Sequence, residues 1–96
     1  MSPVNKKKLL KLRQKLDKLD NIFISLIKKR TSIVKEVLKL KNFKNEIVDQ
    51  KRINFILKQI RKKSLRNNID PKITNRIWKN MIYSYIDFEK RNFKKK

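Results

Sequence analysis

Cysteine, histidine and glycine are all missing from this chain of 96 residues. Without cysteine or histidine there is no disulfide, no thiolate nucleophile and no usual ligand for zinc or haem. Without glycine there is no glycine-rich phosphate loop. Proline occurs only 2 times, and Pro3 and Pro71 each follow a capping residue at the start of a helical pattern. No apolar run approaches membrane-spanning length, and the lysine-studded N-terminus lacks a signal-peptide core. A soluble, cytoplasmic protein is expected, with no metal, no cofactor and no membrane partner.

Acid is scarce too. There are 8 Asp+Glu against 29 Lys+Arg, giving a net charge of +21. A basic surface is the electrostatic footprint of a nucleic-acid binder. Here, however, the lysines are dispersed around the helices, and aromatics are not interleaved with them as stacking platforms. Abundant Lys, Asn and Ile are also what an AT-rich coding sequence produces. Nucleic acid is therefore not the expected partner, and a basic nucleic-acid-binding protein stands only as a remote alternative.

What is present is a long amphipathic pattern from Leu9 to Lys41. Positions 9, 12, 16, 19, 23, 26, 30, 33, 37 and 40 alternate spacings of three and four, which places them on one helix face. Nine of these ten are apolar: Leu9, Leu12, Leu16, Leu19, Phe23, Leu26, Ile33, Val37 and Leu40. The tenth is Arg30. A guanidinium inside an apolar seam is costly unless an anion meets it. Lys41 lies 11 residues further on, close to three full turns, and projects from nearly the same face. Arg13 precedes Arg30 by 17 residues, about 25 Å along the axis. Two such helices packed antiparallel would bring Arg13 of one to Arg30 of the other.

A helix from about Val4 to Lys41 is roughly 55 Å long, whereas a single domain of this size has a radius of gyration of about 13 Å. The seam thus asks for a second chain. The expectation is an all-α fold: one domain spanning residues 1–96, three helices per chain with a very long first helix, and an intertwined homodimer. A second helix is predicted from about Asp49 to Leu65, with Ile53, Ile56, Leu57 and Ile60 inward. Asn67-Asn68 reads as its stop. Residues 43–48 have no clean period and read as a short connection. The third helix opens at Asp70-Pro71 and continues to about Phe93, with Ile73, Ile77, Trp78, Met81, Ile82, Tyr85 and Phe88 inward. The row through Trp78, Ile82 and Tyr85 ends in Glu89. The tail Lys94-Lys95-Lys96 is expected to fray.

Arg13, Arg30, Lys41, Arg52 and Glu89 thus fall at or beside inward slots, four cations and one acid. That set suits a small dianion, because a guanidinium pairs with a carboxylate through two parallel hydrogen bonds.

Several segments carry a family pattern. Leu12-Arg13-Gln14-Lys15-Leu16-Asp17 with Leu19-Asp20 is like L-R-x-x-I-D-x-L-D. Leu26-Ile27-Lys28-Lys29-Arg30 is like L-L-x-x-R, and Val37 through Lys41 like V-x-x-x-K. Asp49-Gln50-Lys51-Arg52 is like D-x-x-R, followed by Asp70-Pro71 at the third helix. In this order and spacing the chain resembles the all-helical chorismate mutases, with the likeness covering nearly its whole length.

The resemblance implies rearrangement of chorismate to prephenate within aromatic amino acid biosynthesis. It also implies roles by position. Arg30, with Arg13 donated across a homodimer interface, would hold the two carboxylates of the substrate. Lys41 would bond the ether oxygen and a carboxylate. Asp49 and Arg52 would complete the pocket, and Glu89 would face the ether oxygen. Two positions depart from the pattern. Ile53 stands where a glutamate commonly binds the substrate hydroxyl, and Tyr85 stands where a serine is common. Isochorismate-pyruvate lyase, which has the same fold, also carries an apolar residue and a tyrosine near these places, so salicylate formation is the alternative activity.

Blander roles stand beside these. Arg13 can snorkel to water, Arg30 can fix helix register, and Asp49 can be a simple cap. Lys41 and Arg52 lie near helix ends of a lysine-rich chain. Ile53 and Tyr85 suit packing, and Glu89 suits a surface ion pair.

Overall fold

The computed structural model describes residues 1–95; the part of the expected frayed tail that falls on Lys96 lies outside them. Three α-helices follow in order: α1 (Pro3–Leu40), α2 (Gln50–Arg66) and α3 (Pro71–Asn92), with no strand among the described residues. Two compact units are formed, Met1–Ile33 and Val34–Lys96.

Each helix starts where its cap is written. At α1 the Asn5 N–H donates to Ser2 Oγ at 3.2 Å, and Pro3 needs no donor in that first turn. At α2 the Arg52 N–H donates to Asp49 Oδ1 at 3.0 Å, and at α3 the Lys72 N–H donates to Asp70 Oδ1 at 2.9 Å. Asn68 ends α2 with φ of 55°, a conformation asparagine tolerates where glycine is unavailable. The Ile69 N–H then reaches back to the Ser64 carbonyl at 2.9 Å.

The first unit is a stretch of α1 alone, and no residue of α1 is buried. Its seam faces solvent: Leu12, Leu16, Leu19, Phe23 and Leu26 are exposed, and Ile33 is 64% exposed. Such a run of large apolar groups is not a stable free surface.

The second unit holds the core. Ile53 of α2 is 5% exposed, and Ile56, Leu57 and Ile60 are half-buried beside it. From α3 come Trp78, Met81, Ile82, Tyr85 and Phe88, also half-buried. Ile73 and Ile77, expected inward, are instead 56% and 47% exposed. The difference is confined to the first turns of α3, where half-buried Thr74, and not Ile73 or Ile77, continues the row of Trp78, Met81 and Tyr85. A hydroxyl pair accounts for this. Buried Ser64 of α2 lies 2.7 Å from Thr74 Oγ1 and donates to the Ile60 carbonyl at 2.6 Å. Replacing Ser64 by alanine leaves the Thr74 hydroxyl without its partner on α2. Urea unfolding should show a loss of about 1–2 kcal/mol, with the helix content of the folded protein unchanged.

The connection between α1 and α2 is more ordered than its lack of period suggests. Lys44–Glu46 forms one 3-10 turn. The Glu46 carboxylate accepts from the Asn42 and Phe43 N–H groups at 3.1 and 2.9 Å. That turn drives Ile47 inward until only 3% of it is exposed.

Candidate active site

Lys41 is the first residue beyond α1, and Glu89 lies in the last turn of α3. They meet within the second unit. Lys41 Nζ is 3.3 Å from both Oε1 and Oε2 of Glu89. The side chains are 18% and 9% exposed. A carboxylate so far from water is tolerated because a cation meets it. The other ion pairs of the described residues, Lys39–Glu36 and Arg91–Asp87, lie on exposed surface. Glu89 lies inward, as the helical row from Trp78 implies, and the alternative of a surface ion pair does not hold.

The geometry has a chemical consequence. An ammonium has three donors and no acceptor, and an ionised carboxylate can only accept. Lys41 thus retains the capacity to donate to an oxygen arriving beside Glu89. A protonated Glu89 could donate as well.

The other candidate residues are placed as follows. Asp49 is exposed and caps α2. Arg52 is exposed, with its guanidinium 5.3 Å from the centroid of the Phe55 ring. Ile53 is buried in the core, and Tyr85 is half-buried on α3. Arg13 and Arg30 lie on α1 in the first unit, both exposed. Among the described residues no group of three or more carboxylates is arranged to hold a metal ion, and no helix is long and apolar enough to cross a membrane.

Reading by helical period missed the Ser64–Thr74 pair, although Ser64 continues the α2 row of Ile53, Leu57 and Ile60. It also missed Lys95, whose ammonium donates to the Lys39 carbonyl. Lys95 belongs to a tail expected to fray, and no periodic signal reaches it.

These features define an all-helical protein whose buried ion pair joins the end of its first helix to the end of its last. Comparison with known proteins narrows the class. The model of the family described as chorismate mutase type II matches residues 12–90. A chorismate mutase of Methanocaldococcus jannaschii is 36% identical over 76 residues, which are 78% of this chain and 77% of that protein. No solved structure gives a significant match. The chain belongs to the chorismate mutase type II family, a family of isomerases.

Proposed function

We propose that the protein rearranges chorismate to prephenate as an intertwined homodimer, and that the Lys41–Glu89 pair is the electrostatic centre of the site. The observation that carries this reading is the burial of that pair inside the matched region. The rearrangement is pericyclic: the ether C–O bond breaks as a new C–C bond forms within one molecule, without a nucleophile. Holding the compact chair-like conformer supplies the proximity effect. Donors aimed at the ether oxygen stabilise the charge that grows there. Lys41 is the principal donor. Arg30, and Arg13 from a second copy of the chain, hold the two carboxylates, with Arg52 and Asp49 completing the pocket near the start of α2.

The dimer has independent support. Ile47 and Ile53 are the buried hydrophobic residues of the described chain, a small core for its length. The exposed seam of α1 offers the missing apolar surface to a second copy.

An amide at position 89 can donate to the ether oxygen, which an ionised carboxylate cannot. Glu89→Gln should therefore retain chorismate turnover, with kcat at or above that of the wild type in steady-state assays. A fall of about 10²-fold or more would show that the carboxylate itself is required.

The second reading, isochorismate-pyruvate lyase, rests on the identities of Ile53 and Tyr85, which depart from the mutase pattern. An apolar group after Arg52 offers no hydrogen bond to the substrate hydroxyl. Incubation of the purified protein with each substrate decides between them. Prephenate from chorismate is expected. Salicylate plus pyruvate from isochorismate alone would establish the lyase.

A further inference from the structure

As expected, the described part of the C-terminal tail has left the helix, and Lys94 and Lys95 are exposed. Beyond α3, Phe93 turns extended, with φ of −72° and ψ of 121°. Half-buried Phe93 lies with Leu38 and Phe88 around a shallow cleft between the ends of α1 and α3. Two residues later the Lys95 ammonium donates to the Lys39 carbonyl. Lys39 is in the last turn of α1, where carbonyls lack partners within the helix and the dipole is negative. A lysine donating there is favoured on both counts.

The consequence concerns Lys41. It stands just past the end of α1, and its own N–H is held only by the Leu38 carbonyl at 3.2 Å. A helix end with so little backbone bonding frays readily. Yet Lys41 must reach across to Glu89, 48 residues away in sequence. Two polar ties therefore join the same two stretches of chain, Lys41 to Glu89 and the Lys39 carbonyl to Lys95. The second lies two residues before Lys41 and six residues after Glu89.

We propose that Lys95 is a positioning residue: by tying the last turn of α1 to the chain beyond α3, it holds the Lys41 ammonium at Glu89. The role in catalysis rests on the mutase reading given above. Lys95 itself touches no reacting atom. Its effect is geometric, and displacement of a catalytic group by about 1 Å costs up to about 10²-fold in rate.

The full-length chain tests this with three variants. Lys95→Met keeps the length of the side chain but removes the donor and the charge. Lys95→Arg keeps both. Lys94→Met removes the same charge from the neighbouring residue, which makes no hydrogen bond among the described residues. For Lys95→Met, kcat on chorismate should fall about tenfold with KM changed less than about twofold. Lys95→Arg should restore kcat, and Lys94→Met should match the wild type. Hydrogen exchange at the Lys41 amide should quicken in Lys95→Met and not in Lys94→Met. Equal behaviour of Lys95→Met and Lys94→Met in both measurements would overturn the proposal. Faster exchange with unchanged kcat would also overturn it, since Lys95 would then be structural only. If the wild type fails to turn over chorismate, the mutase reading falls, while the exchange comparison still decides whether Lys95 ties the helix end.

Discussion

Arg30→Ala should fold, keep its helix content and lose chorismate turnover by about 10³-fold or more in kcat/KM. The expectation of normal folding comes from the position of Arg30. It is exposed on α1 and makes no hydrogen bond or ion pair among the described residues, so the chain loses no internal contact. The expectation of lost catalysis comes from the seam. Apolar residues occupy the other nine positions of that row, and a second copy packed along it would take the guanidinium out of water. Such a cation needs an anion, and a substrate carboxylate supplies one with matching bidentate geometry. Circular dichroism and steady-state kinetics on the same preparation check both halves. Turnover close to the wild type would assign Arg30 to helix register alone.

Lys41→Met should be damaging in two separable ways. Loss of the donor to the ether oxygen should lower kcat by about 10²–10³-fold. The same change leaves Glu89, with its side chain 9% exposed, as a carboxylate without its cation. Removing one partner of a buried pair costs about 3–5 kcal/mol, and the partial exposure of Lys41 puts the expected loss at the lower end. Adding Glu89→Gln should recover much of the stability, since a neutral amide needs no counter-charge, and none of the rate. Urea unfolding of the single and double variants reads the first effect, and saturating chorismate reads the second. A double variant no more stable than Lys41→Met would mean that the pair contributes little to the fold.

The helices were legible because their signals are local. Ser2-Pro3, Asp49 and Asp70-Pro71 are caps whose chemistry acts within one turn, and each caps as its sequence implies. Asn68 stops α2 for the same reason. Glu89 was legible as inward because it extends the row of Trp78, Ile82 and Tyr85. Its partner was only one cation among many, since periodicity says where a side chain points and not what it meets. Ile73 and Ile77 were read one residue off the buried stripe because hydrophobicity outweighed the hydroxyl of Thr74, whose bond to Ser64 depends on two helices at once. Ile47 and Lys95 were not legible at all. One is buried by a single turn held by Glu46, and the other acts through a backbone carbonyl 56 residues away.

The account depends on a catalytic site assembled from two copies of the chain, and subunit mixing tests that directly. Arg13→Ala and Arg30→Ala should each be nearly inactive alone. Unfolded together in equal amounts and refolded, they form mixed dimers in which one site regains both arginines. With random pairing, about a quarter of the wild-type chorismate turnover should return. A mixture no more active than its two components would contradict a site shared between subunits.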